Sequence, residues 1–227
     1  MTPAAPAVGP ISVILPLYNG RRHIRAAIES ILAQTLSARE IVVVDDGSSD
    51  GGADLLADYP GLTVIRQANT GEAAARNRGI RESRQPFIAF LDQDDLWLPD
   101  KLQLQLAAFA QEPAREAVFG RHRLFVEQGA PWQRPDLLDR PLSARLPGAL
   151  MVRRGLFARI GPFAESMVLG SDVDWLWRAS DSGVAFHAMA EEVLLRRIHA
   201  ANASRNMAQF TTGLLEAAEA SLKRKRR

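Results

Sequence analysis

ISVILPLYNG, residues 11–20, is an unbroken apolar and β-branched run that ends abruptly in Pro, Asn and Gly. The same grammar returns three times. Ile41 to Val44 precedes DDGSSDGG, Leu62 to Ile65 precedes QANTG, and Phe87 to Leu91 precedes DQDD. Short runs of this composition, bounded by turn residues, read as strands. Between them lie longer stretches of helical character, clearest where Ile24, Ala27, Ile28, Ile31 and Leu32 recur at helical spacing. Continuous apolar strands separated by helices predict an α/β protein with a mostly parallel sheet covered on both faces. In such a sheet ligands bind beyond the carboxyl ends of the strands. Here those ends are rich in Asp, Asn and Gly, which supply oxygen ligands and backbone amides to a metal and to phosphates.

Working outward, Pro99 ahead of Leu102 to Gln111 predicts a helix, although Leu102, Leu104 and Leu106 alternate like a strand. After residue 112 the rhythm breaks. Glu127 to Pro147 carries Gly129, Pro131, Pro135, Pro141 and Pro147 and reads as a binding loop or lid. Then come a strand at Ala149 to Val152, a short helix near Leu156 to Ile160, and a helix from about Asp172 to Ser182 that Gly183 can stop. Two short apolar runs follow, Val184 to Met189 and Val193 to Ile198. The last element is a helix from about Asn206 with Phe210, Leu214, Ala218 and Leu222 on one face.

The 227 residues suit one domain, and a 47% hydrophobic, 24% charged composition can bury a core, which excludes a disordered chain. No stretch of 18 apolar residues exists to form a membrane-spanning helix, and no secretory signal is visible. Zero cysteines exclude disulfides, thiolate metal sites and a cysteine nucleophile, and a reducing cytoplasm is the expected compartment. The formal charge of +2 includes five positives in Lys223 to Arg227, so the body stands at about −3. Nucleic acid demands a basic surface, so it is not the expected partner. The KRKRR tail reads as a solvated end. With the apolar face of its helix it could also make a peripheral contact with the inner face of a membrane, or pair two subunits as a homodimer. A Walker-type loop and a GxGxxG after a strand are both missing, against phosphoryl transfer from ATP and dinucleotide binding.

ISVILPLYNG, IVVVDDGSSDGG, NTGEAAARNRGI and FIAFLDQDD followed by WLPDKL, in this order, resemble the start of an inverting family 2 glycosyltransferase of the GT-A fold. LMVRRGLFARIGPFAES, GSDVDWLWRAS and LLRRIHAANAS resemble that family's acceptor-side half. The resemblance covers roughly residues 10–205. It implies a flexible start at 1–9, a nucleotide-sugar half at 10–111, an acceptor half at 112–205, and a C-terminal amphipathic helix with its basic tail at 206–227.

By that resemblance Asp94 binds a divalent cation, Mn²⁺ or Mg²⁺, held by the donor's diphosphate, and Asp92 lies near the ribose or a metal-bound water. A nucleoside diphosphate leaves readily once a cation offsets its developing charge, and carboxylates are natural hard ligands. The resemblance also sets Asp46 facing the base, Tyr18 against it, and Pro16 with Asn19 shaping the loop. Arg76 either approaches the diphosphate, a role suited to Arg, or is a surface helix arginine. Asp172 matches the base that takes the acceptor's proton, at a helix start that Ser171 can cap. Many members have Glu where Ser171 stands, which leaves the acceptor geometry open. His199 matches a histidine that completes metal coordination.

Each residue also has a plainer reading. The DQDD acids can solvate a turn, with Asp95 beside Trp97 the structural one, and Asp46-Gly47 can close an Asx turn. Asp172 and Asp174 can complement a helix dipole, and a lone His is often packed. Trp175 and Trp177 suggest a sugar-stacking platform, but at i and i+2 they cannot share a face, so at least one belongs to the core. The resulting expectation is transfer of a sugar from a nucleoside diphosphate donor to an acceptor hydroxyl with inversion. UDP is the family's commonest nucleotide, and the acceptor is a glycan, a lipid-linked group, a peptide or a small molecule. The rivals are a non-catalytic sugar-nucleotide binding module or partner subunit, and a sugar nucleotidyltransferase, whose Gly-rich basic opening PLYNG lacks.

Overall fold

In a computed structural model describing residues 7–132, 134–138, 140–143, 145–202 and 207–225, ISVILPL forms most of β1 (Ala7–Leu17) at the centre of a parallel array. Every residue from Ile11 to Leu17 is buried, as strands covered on both faces require. Along the chain follow α1 (Ile24–Leu32), β2 (Leu36–Asp45), β3 (Leu62–Arg66), α2 (Glu72–Glu82), β4 (Phe87–Phe90), β5 (Leu96–Trp97) and α3 (Lys101–Gln111). The second half adds β6 (Ala117–Val126), β7 (Leu150–Arg153), α4 (Gly155–Ile160), α5 (Ser171–Asp181), β8 (Phe186–Ile198) and α6 (Met207–Lys225). One sheet runs through both halves in the order β3-β2-β1-β4-β7-β6-β8-β5. The β1, β2, β3 and β4 neighbours pair parallel. On the other side β7 pairs antiparallel with β4 and β6, β8 pairs parallel with β6, and β5 pairs antiparallel with β8.

Helix α1 buries Ile24, Ala27, Ile28 and Ile31 and leaves Leu32 outside. Each such isoleucine contributes roughly 1.5–3 kcal/mol by leaving water. Phe90, Phe157, Phe163 and Trp175 form one aromatic cluster. Trp175 is stacked on Phe157 and its indole N–H donates to Gly161 O at 3.0 Å, so it is the core member of its pair, while Trp177 is half-buried.

Three features depart from the sequence pattern. The stretch Ala117–Val126, where the rhythm had broken, is a ten-residue strand, and the charges that obscured it have cross-strand partners: Arg123 grips Glu192 of β8 bidentately at 2.8 and 2.9 Å. The two apolar runs near the end belong to one strand, β8, whose register with β6 shifts around Arg121, opposite Glu192. Helix α6 turns a different face inward from the one its larger apolar residues suggest. Gly213, Ala217 and Ser221 are buried, Leu214 and Ala218 are half-buried, and Leu222 is 56% exposed. The small residues win because α6 lies close against α5. Asn206 and the Phe210 side chain lie outside the described set. Among the described residues no helix is long and apolar enough to cross a membrane.

Candidate active site

The loops beyond β1, β2 and β4 are sewn together by their own polar groups. Asn19, in the left-handed region at φ 48°, donates its N–H to Ser48 Oγ and accepts from Ser49 N–H, each at 2.9 Å. Arg21 N–H donates to Asp50 Oδ2 at 2.7 Å. Gln93, inside DQDD, clips the Tyr18 backbone by accepting its N–H at 2.8 Å and donating to its carbonyl at 3.0 Å. These bonds hold Tyr18 by its main chain and leave the residue 49% exposed. Pro16 is buried opposite Val44 at the end of β1.

Asp46 is buried and its carboxylate serves its own chain. It accepts Gln67 Nε2 at 2.8 Å, Thr70 N–H at 2.9 Å and Gly71 N–H at 2.8 Å, which pins the QANTG loop and the start of α2. Asp45 makes the Asx-type contact, accepting Ser48 N–H at 3.0 Å.

Arg76 is 3% exposed, which rules out a surface helix arginine. Its Nη2 donates to Glu72 Oε1 at 2.8 Å and to Asp92 Oδ1 at 2.6 Å, while Nε is buried without a partner. Burial opposes the guanidinium charge, but Glu72, Asp92 and Asp172 more than offset it and hold the group protonated. Glu72 was not singled out from the sequence, although its i,i+4 spacing to Arg76 is a readable signal. Its side chain is half exposed, with one carboxyl oxygen held against the Arg76 guanidinium. Desolvation there pushes it up to about 7, opposed by Arg76 and reinforced by Asp92, Asp172 and Asp94.

Asp94 Oδ2 accepts His199 Nε2 at 2.8 Å and Asn202 Nδ2 at 3.3 Å. Ala201 N–H donates to His199 Nδ1 at 3.2 Å, so the neutral ring carries its proton on Nε2 and gives it to Asp94. His23 packs its ring 4.8 Å from His199 and meets Glu127 at 3.2 Å, tying the start of the 127–147 segment to this corner. Asp95 is the structural acid: it is buried, and Oδ1 accepts Arg197 N–H at 2.8 Å.

Among the described residues no three His, Asp or Glu side chains converge into a ready-made metal cage. Asp94 Oδ1 takes no hydrogen bond there. One open carboxylate oxygen fits a cation whose other ligands come from a diphosphate and water. His199 could join such a shell only by moving its proton to Nδ1 and losing the Ala201 contact.

Asp172 is the second residue of α5 and half-buried. Gly170, not Ser171, occupies the N-cap position, and no side chain caps this helix. Asp172 is near enough to α2 to act electrostatically on both Glu72 and Arg76. Asp174 is buried and ion-paired with Arg178 at 2.8 Å. Of the two first-turn acids, only Asp172 is therefore open to a substrate.

With this geometry established, comparison with known proteins places the chain. Residues 12–164 match the model of glycosyl transferase family 2, and the chain belongs to that family. It is 32% identical over 153 residues to the uncharacterized glycosyltransferase YibD of Escherichia coli (strain K12), covering 66% of this chain and 44% of that one. TuaG of Bacillus subtilis (strain 168), a glycosyltransferase named for teichuronic acid biosynthesis, is 36% identical over 126 residues, covering 53% and 50%. The chain thus spans about half the length of these curated relatives. The crystal structure of S. aureus TarS 1–349 in complex with UDP superposes with a TM-score of 0.66 at 21% identity, over 83% of this chain and 60% of that one. The α/β fold is that of the GT-A glycosyltransferases.

Proposed function

We propose that the protein transfers one sugar from a nucleoside diphosphate donor, with UDP the first choice, to an acceptor hydroxyl with inversion at the anomeric carbon. The observation that carries this reading is the pairing of the buried Arg76 with Glu72 and Asp92, with Asp172 near enough to act on Arg76 and Asp94 near enough to act on Glu72, at the strand ends where α/β sheets bind ligands. Family membership supports sugar transfer, and the neighbour solved with UDP supports a uridine donor.

In this reading Tyr18 offers its ring to the base, and Asp46 fixes the loop that borders the nucleotide. Arg76 and Asp92 border the diphosphate, with Arg76 the natural partner for its charge. Asp94 would hold a divalent cation, Mn²⁺ or Mg²⁺, which would offset negative charge on the departing diphosphate. His199 holds Asp94 in place. Asp172 accepts the acceptor hydroxyl's proton as that oxygen bonds to the anomeric carbon from the face opposite the diphosphate. The carbon–oxygen bond to the diphosphate breaks in the same displacement, its electron pair leaves with the nucleoside diphosphate, and the configuration inverts.

The test is a thermal-shift screen of UDP-, dTDP- and GDP-sugars with and without Mn²⁺. A bound donor stabilises the native state by RT ln(1 + [L]/Kd), about 2.7 kcal/mol at one hundred times Kd. One nucleotide class should raise the Tm by several degrees, and more so with Mn²⁺. If no donor stabilises the protein under any metal condition, the reading fails.

A further inference from the structure

The segment beyond the family match holds a second structural device, built on helix α6. Helix α6 runs beside α5 in the same direction and touches it at both ends. At the leading end, Gly213 lies against the backbone that enters α5. A Cβ on Gly213 would sit 2.1 Å from Leu169 O, and a Cβ on Gly170 would sit 3.3 Å from the Gly213 carbonyl carbon. Gly170 has φ +87°, so both sides of this contact need glycine, one for space and one for conformation. At the trailing end, Asp181, with a side chain 8% exposed, accepts Ser221 Oγ at 2.8 Å and Arg224 Nε at 3.0 Å, and pairs with Lys225 at 3.4 Å. Arg224 also stands 3.9 Å from Asp174, the acid that Arg178 grips.

Between the contacts, 213 to 224 on α6 and 170 to 181 on α5 both span eleven residues, roughly 16 Å of helix. The two helices are therefore splinted in register. Two positives of the basic tail, Arg224 and Lys225, are part of that splint.

We propose that Gly213 and Arg224 are positioning residues for Asp172, acting through α5. The inference builds on the reading of Asp172 as base. Gly213 abuts Leu169 and Gly170, and Asp172 lies two residues further on, so a shift at that contact moves the carboxylate. A proton acceptor displaced by about 1 Å costs on the order of a hundredfold in rate, whereas a donor site built on β1, β2, α2 and β4 is untouched.

The experiment compares kcat and donor KM, by nucleoside diphosphate release, with Kd for UDP and the Tm. The proteins are the full chain and Gly213→Ala, Arg224→Ala, Arg224→Lys and Asp172→Asn. Gly213→Ala should lose 10- to 100-fold in kcat and move the acidic limb of the kcat–pH profile, with donor KM and UDP Kd within twofold of wild type. Arg224→Ala, which leaves the close contact intact, should lose several-fold in kcat, and Arg224→Lys should recover most of it.

The inference is overturned if Asp172→Asn is inactive while Gly213→Ala and Arg224→Ala keep wild-type kcat. It is equally overturned if kcat, UDP affinity and Tm fall together, which marks a purely structural role. Full turnover by Asp172→Asn would instead overturn the base assignment beneath it.

Discussion

His199 and Asp94 are joined by a 2.8 Å hydrogen bond whose direction is set from behind, because Ala201 N–H occupies Nδ1 and leaves the proton on Nε2. In this state His199 orients the carboxylate rather than presenting a lone pair to a metal. Glutamine keeps an N–H donor, so His199→Gln should retain most of the donor- and Mn²⁺-dependent turnover. His199→Ala should lose 10- to 100-fold, the usual range for a partner that orients a metal ligand. Equal losses in both variants would instead assign His199 as a direct ligand.

Asp46 lends its carboxylate to Gln67, Thr70 and Gly71, so removing it should loosen the entry to α2 before it alters any choice of nucleotide. Asp46→Ala should cost about 2–3 kcal/mol in urea unfolding, from donors left without their acceptor. It should also raise the KM for every nucleotide sugar together. A loss confined to uridine donors would show that Asp46 reads the base directly.

Glu72 supplies a pH test. Its folded pKa of about 7 is raised above the ordinary 4.5, so the stability it contributes is present below pH 4.5 and is lost as pH rises towards 7. Since 48% of the side chain meets solvent, screening trims the effect to ~1 kcal/mol. Glu72→Gln should therefore stabilise the protein at pH 8 and not at pH 4.5, measured by denaturant midpoints. An equal change at both pH values would contradict the assignment.

His122 works in the opposite direction. It is buried on β6, its backbone N–H and C=O both bond Leu142 of the long segment, and its Nδ1 has no partner. Burial first, and Arg196 second, lower its pKa from 6.5 to about 4. Below pH 6.5 the unfolded chain takes up a proton that the folded chain refuses until about pH 4, so stability falls across that window. The loss by pH 5 is about 2 kcal/mol. His122→Leu should flatten this part of the stability–pH curve, and a curve parallel to wild type would refute the assignment.

The parallel core was legible because its strands are uninterrupted apolar runs closed by Gly, Pro and Asn, a signal contained within a few residues. The strand β6 was not, because Arg121, His122 and Arg123 break the run, and the Glu192 that compensates Arg123 lies 69 residues away. The inward face of α6 was misread for a related reason. Helical periodicity favours Leu214 and Leu222, whereas a close neighbouring helix selects Gly213 and Ala217. In the site, the acids at the strand ends were readable from position and resemblance. That Arg76 is buried, that Glu72 joins it, and that Asn202 and His23 brace the Asp94 corner depend on contacts between distant segments.

In the proposed reaction Asp172 removes the acceptor's proton in a single displacement. Its most direct test is nucleoside diphosphate release by Asp172→Asn at saturating donor, alongside that variant's affinity for UDP. Turnover should fall to about 10²–10⁴-fold below wild type, the usual contribution of a general base, with UDP affinity within twofold because donor contacts are untouched. Turnover within a few-fold of wild type would contradict it.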